Sequence, residues 1–210
     1  MSAPARSPRT ERADRTEHTA RTERTARSPR AEPPARGPEA EAYLAAARLW
    51  TTGVGVLTAR HGEDLFAKTV SSLCTLSLEP LLISVSVTAR SPIVAAARGS
   101  ARFAVSVLGT HQEPLARRFA APGAGHALGF FTHAPMREDT GTPVLENSLA
   151  WFDCRLHTVL PGGDHAVLVG RVTGAHSEPG EPLLYHDGGY RTLHTPTVNP
   201  LSGPPTGARA

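Results

Sequence analysis

The amino-acid sequence predicts a mainly β protein, an antiparallel barrel that carries a few helices. Short runs in which apolar and polar residues alternate, as in strands, outnumber runs with helical periodicity. Most connections between these runs are short enough to join antiparallel neighbours. The strand–helix alternation of a nucleotide-binding α/β sheet and its G-x-G-x-x-G loop are both missing from the sequence. Closure into a barrel is therefore the favoured arrangement for so many strands in one small domain.

Charge and composition divide the chain into a body and two tails. The 210 residues carry a net charge of +3, but residues 1–38 alone hold nine Arg and five acids, which leaves −1 for residues 39–210. Residues 1–38 contain no Leu, Ile, Val or aromatic residue, so we predict a disordered tail. Its interspersed acids favour a solvated tail over a partner-binding or nucleic-acid-binding arm. The Pro-rich stretch 195–210 is predicted to be a flexible extension.

The composition also predicts a cellular compartment. The sequence shows no apolar run near the roughly 20 residues that a membrane span needs, and its N-terminus lacks the apolar core of a signal peptide. We therefore expect a cytoplasmic protein without membrane contact. Cys74 and Cys154 are too few for a disulfide framework or a Cys-based zinc site, and both are expected to be small buried residues.

The first half of the body reads as a helix followed by strands. Good helix formers around Tyr43 and Leu44 predict a short first helix, and the Val-rich run that follows predicts a strand. In a later strand Ile83, Val85 and Val87 alternate with polar residues, which predicts one buried face. The predicted elements are a helix over 38–50 and strands over 53–58, 65–70, 81–88 and 102–108.

Two helices are predicted from their end signals. Ser91 is a good N-cap, Pro92 suits the first helical position, and Gly99 is expected just past the end of this helix. A capping box at Thr110-His111-Gln112-Glu113 is expected to open a second helix that runs to residue 119.

The last third reads as loop and hairpins. Residues 121–148 are rich in Gly, Pro and His, and we interpret them as a long functional loop with short ordered pieces. A long hairpin is predicted with arms over 150–160 and 165–175 and a turn over 161–164. A short pair over 182–185 and 190–193 is predicted to close the body.

Familiar catalytic signatures are missing, and the scattered histidines do not favour a metal site. One polar strand end does stand out, with four side-chain donors in Lys68, Thr69, Ser71 and Ser72. Such a stretch could hold an anion such as a phosphate, and the N-terminus of the helix after Ser91 could hold a second. The residues by themselves favour the plainer reading of a polar strand end beside an ordinary helix cap.

A second candidate is Gly163-Asp164-His165, at the base of the long hairpin. The imidazole could donate to a ligand or assist a proton transfer. Taken alone, ordinary turn chemistry is favoured here, with Gly-Asp making the turn and His165 beginning the strand.

The order of these motifs resembles the flavin reductase-like family, over roughly residues 45–195 of this chain. Seven segments carry the resemblance, and no single one is specific by itself. They are residues 52–58, T-x-S-S at 69–72, an S-L-D-P-P-like stretch at 77–81, R-F-A-V-N-V-L-like residues 102–108, Q-x-x-L-A-x-x-F at 112–119, G-D-H at 163–165 with I-G-x-V-like residues 169–172, and a closing hairpin at 182–185 and 189–191.

The resemblance implies an FMN-binding split barrel, Greek-key and antiparallel, that forms a homodimer. It implies hydride transfer from NADH or NADPH to FMN or FAD, with reduced flavin supplied to a partner monooxygenase. Because the cofactors carry this chemistry, no protein nucleophile or metal is required. The residues implied are His165 near the nicotinamide, Thr69, Val70, Ser71 and Ser72 along the isoalloxazine and ribityl chain, and Thr88 and Ser91 near the phosphate, with Lys68 helping.

The chain departs from the family pattern at several positions: Lys68, Glu79, Leu81, Ile93 and Ser106. Ile93 stands where the family has a hydroxyl near the expected phosphate, and Ser106 replaces an Asn. These departures leave two alternatives open. One is a flavoprotein whose bound flavin reduces another acceptor, such as ferric iron, and the other is a non-catalytic protein that binds flavin or a small ligand.

Overall fold

The computed structural model describes residues 37–121, 136–137 and 141–193. As predicted, the fold is mainly β, and all strand pairs among these residues are antiparallel. The elements are α1 Pro38–Arg48, β1 Thr52–Gly53, β2 Gly55–His61, β3 Asp64–Val70, β4 Cys74–Leu78, β5 Leu81–Thr88, α2 Pro92–Ser100, β6 Arg102–Val107, a 3₁₀ turn Thr110–Gln112, α3 Glu113–Ala120, β7 Met136–Arg137, β8 Val144–Leu145, β9 Ala150–Gly162, β10 His165–Ser177, β11 Leu184–His186 and β12 Gly189–Arg191.

The main sheet has seven strands in the order β3-β2-β6-β9-β10-β5-β4. Its two edge strands, β3 and β4, are consecutive in sequence and are joined only by residues 71–73. Seven strands laid flat would place those edges about 29 Å apart. The four Cα steps from Val70 to Cys74 span at most about 15 Å. The sheet must therefore curl until its edges approach each other, which produces the predicted barrel.

Two hydrophobic clusters hold the barrel together. The larger lies between the strands and α2, and it contains Phe103, Val105 and Leu168, each fully buried. The smaller packs α3 and the final hairpin onto the other side, through residues such as Phe119 and Leu183. The alternation predicted for β5 is confirmed, because Ile83, Val85 and Val87 all belong to the larger cluster.

A buried carboxylate ties three segments to the barrel. Asp153 on β9 is 5% exposed, and its Oδ2 accepts hydrogen bonds from Arg102 Nη2 at 2.5 Å, Gly141 N at 3.2 Å and Thr173 Oγ1 at 3.4 Å. The ion pair links the start of β6 to β9. The Gly141 bond anchors the chain that leads into β8.

Three sequence predictions about strands and cysteines need correction. Residues 74–78 form the edge strand β4, which was not predicted. The predicted strand 53–58 is divided, because β1 pairs with β11 whereas β2 joins the main sheet. Between them, Val54 N donates to Leu183 O at 3.1 Å. Cys74 is exposed rather than buried, because an edge strand has neighbours on one side only, while Cys154 is buried as predicted.

The helix ends also differ from their sequence signals. Gly99 lies inside α2, and the left-handed residue after that helix is Ala101, with φ of 54°. The predicted capping box is displaced by one residue, since Gln112 Oε1 accepts a hydrogen bond from Gly109 N at 3.2 Å. A 3₁₀ turn therefore precedes α3, whose first residue is Glu113.

The predicted tails, 1–38 and 195–210, lie outside the described residues apart from Gly37 and Pro38. Of the predicted loop 121–148, the described part includes β7 and β8, which pair with each other. The long hairpin has longer arms than predicted, so that its turn is only Gly163-Asp164. None of the described helices combines the length and the apolar content that a membrane crossing requires.

Candidate functional site

The segment Thr69-Val70-Ser71-Ser72 lies at the seam where the two edges of the curled sheet approach each other. Val70 is buried, whereas Ser71 and Ser72 are exposed. Ser72 Oγ donates to Ser86 O at 2.7 Å and accepts from Ser86 N at 3.0 Å. The seam is thus fastened to β5 by a pair of side-chain hydrogen bonds, and Ser71 is left at the surface.

Thr69 connects the seam to α3. Its Oγ1 donates to Ala116 O at 2.7 Å, so that the hydroxyl proton is engaged within the protein. The oxygen can still accept a hydrogen bond from a ligand. Thr69 therefore fixes the position of α3 relative to the seam and keeps one acceptor available.

A cavity of about 230 Å³ opens beside the seam. Three of the predicted site residues, Thr69, Val70 and Ser71, form part of its wall. The remaining wall comes from β11, β12, α3 and the residue before β2, namely Tyr185, Tyr190, Ala120 and Val54. The cavity combines a polar strand end with two aromatic side chains.

Tyr185 and Tyr190 are site residues to which the sequence analysis gave no role. They face each other across the β11–β12 pair, with ring centroids 5.6 Å apart and planes at 68°. The Arg117 guanidinium lies 4.9 Å from the centre of the Tyr190 ring. Burial raises the pKa of Tyr190. The closing hairpin motif was visible in the sequence, but nothing local to it indicated contact with residues 69–71.

The other predicted residues meet where β5 ends and α2 begins. Thr88 pairs with His165 across β5 and β10. Ala89 N donates to Asp164 O at 3.0 Å, and Ser91 N donates to Thr88 O at 2.9 Å. Ser91 precedes α2 without a side-chain capping bond, so its hydroxyl remains available beside the first backbone N–H groups of the helix.

His165 is oriented by its neighbour in sequence. Its Nδ1 lies 2.6 Å from Asp164 Oδ1, and this contact lowers the pKa of the Asp164 carboxyl. A carboxylate only accepts hydrogen bonds, so Nδ1 carries the proton and Nε2 of the neutral ring is an acceptor. The His165 side chain is 44% exposed.

Lys68 lies on the opposite face of β3 from Thr69. Strand alternation puts it with Phe66 and Val70, which belong to the cluster that α2 covers. Lys68 is half-buried and stands opposite Leu57. Its backbone position is therefore on the α2 side of the barrel, where Ser91 also lies, and Lys68 is not part of the cavity wall.

Two departures from the family pattern have structural explanations. Ile93 is 2% exposed and packs in the larger cluster, so this position serves the core. Ser106 Oγ is buried and accepts a hydrogen bond from Leu145 N at 2.9 Å, which anchors β8. Both residues contribute to packing, and neither lines the cavity.

The site offers hydroxyls, one oriented imidazole, aromatic walls and a helix N-terminus. Among the residues that the structure describes, no group of three or more His, Cys, Asp or Glu side chains could hold a metal ion. Arrangements of this kind suit ligand binding and positioning.

Residues 47–194 match the family model described as flavin reductase like domain. A 4-hydroxyphenylacetate 3-monooxygenase reductase component from Thermus thermophilus is 36% identical, over 75% of this chain and 99% of the relative. An NADH:FMN oxidoreductase from Rhodococcus qingshengii is 34% identical, over 70% and 79%. The structure of the NADH:FAD oxidoreductase SgcE6 from Streptomyces globisporus C-1027, with NAD and FAD fragments, aligns at a TM-score of 0.68 and 29% identity, covering 78% of this chain and 98% of SgcE6.

Proposed function

The chain belongs to the flavin reductase like domain family, and on that premise we propose that it transfers a hydride from NADH to FMN or FAD. It is therefore an oxidoreductase of the NADH:flavin type. The observation that carries the proposal is that the T-x-S-S segment, in a chain with this family match, forms one wall of a cavity with two tyrosines. In the overall reaction NADH and a proton convert oxidised flavin to its two-electron-reduced form and leave NAD⁺.

The residues present fit a flavin. The cavity offers apolar and aromatic walls for a flat ring, and Thr69 and Ser71 offer hydroxyls to its polar edge. Thr52 Oγ1 is buried without a hydrogen-bond partner in the described part of the chain. Thr52 stands opposite Tyr185, on the same face of that small sheet. Tyr185 lines the cavity and Thr52 does not, so this unpaired hydroxyl lies next to the cavity wall and not in it.

A bound flavin supplies an electrophilic ring that accepts the hydride, so this chain's task is to bind and orient the reactants. We assign Thr69, Val70, Ser71 and Ser72 to the ring and ribityl chain. We assign the phosphate to Thr88 and Ser91 at the N-terminus of α2, where backbone N–H groups and the helix dipole favour an anion. Lys68 adds a cation on the same side of the barrel.

His165 is assigned to the nicotinamide. With its Nδ1 proton directed to Asp164, Nε2 can accept a hydrogen bond from the carboxamide NH₂ group. That bond would fix the rotation of the dihydronicotinamide ring and hence the position of the hydride that leaves it. His165 is in this view a positioning group for the hydride donor.

The reduced flavin is proposed to leave for a partner monooxygenase. The relative from Thermus thermophilus is the reductase component of a monooxygenase. The relative HsaB from Mycobacterium tuberculosis, at 32% identity, is the reductase subunit of a flavin-dependent monooxygenase. We place the exchange in the cytoplasm, where reduced nicotinamide nucleotides are available.

We also propose that the protein is a homodimer. Four leucines on β4, β5 and β9 are exposed, and exposed apolar surface is typical of interfaces: Leu76 at 51%, Leu78 at 86%, Leu81 at 53% and Leu160 at 49%. Three of them belong to the β4–β5 hairpin at the sheet edge. Light scattering on the purified chain should give twice the mass of 22.2 kDa, and a monomer at micromolar concentration would reject the dimer.

The reductase proposal is tested by anaerobic stopped-flow mixing of the protein with NADH and FMN or FAD, following loss of flavin absorbance. Fast bleaching is expected in the wild type. Thr69→Ala should raise the KM for flavin about 3- to 10-fold, the equivalent of one hydrogen bond. Thr69→Ser keeps the hydroxyl and should stay close to wild type. Failure of the wild-type protein to bleach either flavin with NADH would reject the proposal.

His165→Ala provides the second arm of this test. It should raise the KM for NADH and leave flavin affinity unchanged, since the imidazole is assigned to the hydride donor. The matched control is Thr158→Ala. It replaces a half-buried residue on β9 that does not line the cavity. If His165→Ala weakens only flavin binding, the assignment of His165 is wrong.

A further inference from the structure

A second groove adjoins the cavity beside the seam. It has a volume of about 330 Å³ and shares three wall residues with the cavity: Ala120, Tyr185 and Tyr190. Beyond them it is lined by Arg117, Ala121, Gly188 and Gly189. The groove leads away from residues 69–71 along α3 and the β11–β12 turn. A ligand that fills the cavity could therefore continue into the groove.

The groove offers an aromatic surface and a fixed cation. Arg117 Nε and Nη2 both contact Glu113 Oε1, at 2.8 and 2.6 Å, which holds the guanidinium 4.9 Å from the centre of the Tyr190 ring. Arg117 Nη1 makes no hydrogen bond to any residue that the structure describes. One edge of a positioned guanidinium is thus available to an anion, beside rings on which a flat heterocycle can stack.

The β11–β12 turn keeps the groove open. Gly188 has φ of +72°, which any other L-residue would adopt only with strain. Gly189 follows it, and both glycines line the groove. Two consecutive residues without side chains therefore line the groove opposite α3, which leaves room for a ligand.

We propose that this groove is the subsite for the adenosine-phosphate half of a dinucleotide substrate. The proposal rests on the proposed function, which assigns the flavin ring to the adjoining cavity. Adenine stacks on one of the two tyrosine rings and meets the other at its edge, since their planes are 68° apart, and a phosphate pairs with Arg117. NADH and FAD both carry this half, so the same recognition chemistry could serve either substrate.

The carboxylate of Glu113 allows a test in which two substitutions should change the affinity for ADP in opposite directions. It holds the guanidinium in place but also repels an incoming phosphate. Glu113→Gln keeps the length of the side chain and removes the charge, so it should tighten binding of ADP. Arg117→Gln should loosen it. A purely structural role for the Arg117–Glu113 pair would make both substitutions act in the same direction.

The test compares substrates with and without the adenosine half. Arg117→Gln removes a cation that lines the groove and not the cavity; loss of one hydrogen bond to a charged group corresponds to about 10- to 160-fold in affinity. If the groove holds the adenosine of NADH, the KM for NADH rises by such a factor and that for reduced nicotinamide mononucleotide does not. If it holds the adenosine of FAD, the KM for FAD rises and that for FMN does not.

Direct binding of ADP by calorimetry gives a readout apart from turnover. Wild type should bind ADP, Tyr190→Leu and Arg117→Gln should bind it at least 5-fold more weakly, and Arg98→Gln, on the far end of α2, should match wild type. Equal losses for full and truncated substrates would overturn the proposal, as would unchanged constants throughout. Failure of wild type to oxidise NADH with any flavin would instead reject the proposed function.

Discussion

Gly170 on strand β10 lies against Phe103 and Cys154 of the larger cluster. A Cβ built there would lie 2.5 Å from Phe103 Cζ and 2.7 Å from Cys154 Cβ. Both neighbours are fully buried, and a Cβ atom can move only with its backbone. The Gly170→Ala substitution therefore requires β9 or the phenyl ring to shift within a close-packed interior.

Overpacking of this kind costs about 1–3 kcal/mol, and we expect about 2 kcal/mol here. For a folded body of this size that corresponds to a fall in Tm of about 4–8 °C. Urea unfolding followed by circular dichroism should show a lower midpoint with an unchanged m value. The double variant Gly170→Ala, Phe103→Leu should lose less free energy of unfolding than the sum of the losses in the two single variants.

Gly174→Ala is the matched control, since it makes the same substitution four residues later on the same strand. Its Cβ would meet Trp151 at 3.5 Å, an ordinary contact, so we expect a change within about 0.5 kcal/mol. If Gly170→Ala unfolds at the same urea concentration as Gly174→Ala, the packing described for this part of the core is wrong.

Three further predictions follow from buried and paired groups. Burial raises the pKa of Cys154 to about 12, so Ellman's reagent should modify one thiol of the native protein, Cys74, and two only after unfolding. The His165 hydrogen bond lowers the pKa of Asp164 below its usual 3.8. The pair's contribution to stability is therefore complete above pH 3.8 and is lost as the pH falls through the lowered pKa. Carboxyl ¹³C NMR should show a higher pKa for Asp164 in the His165→Ala variant than in the wild type. Asp153→Ala should cost about 2–4 kcal/mol in urea unfolding, because it leaves a half-buried guanidinium and a loop amide unpaired.

Patterns that depend on near neighbours in sequence were predicted well. The alternation of β5, the Ser91-Pro92 helix start and the long hairpin all appear in the structure. Each depends on side chains a few residues apart, whose burial or backbone preference is readable locally.

The elements that were missed depend on distant partners. Strand β4 is an edge strand with one neighbour, and a bulge between Thr75 and Ser77 interrupts its register with β5. Its side chains therefore show no clean division between a buried and an exposed face. The division of β1 from β2 likewise reflects pairing with β11, far along the chain.

The sequence by itself determined the mainly antiparallel fold, the order of motifs that places the chain in its family, and the separation of a basic tail from a nearly neutral body. Only the tertiary structure decided that Tyr185 and Tyr190 meet Thr69, Val70 and Ser71 around one cavity. It also decided that the Thr69 hydroxyl is committed to α3. The physical reason is that barrel closure brings together segments from opposite ends of the body through packing and strand register, which residues adjacent in sequence do not encode.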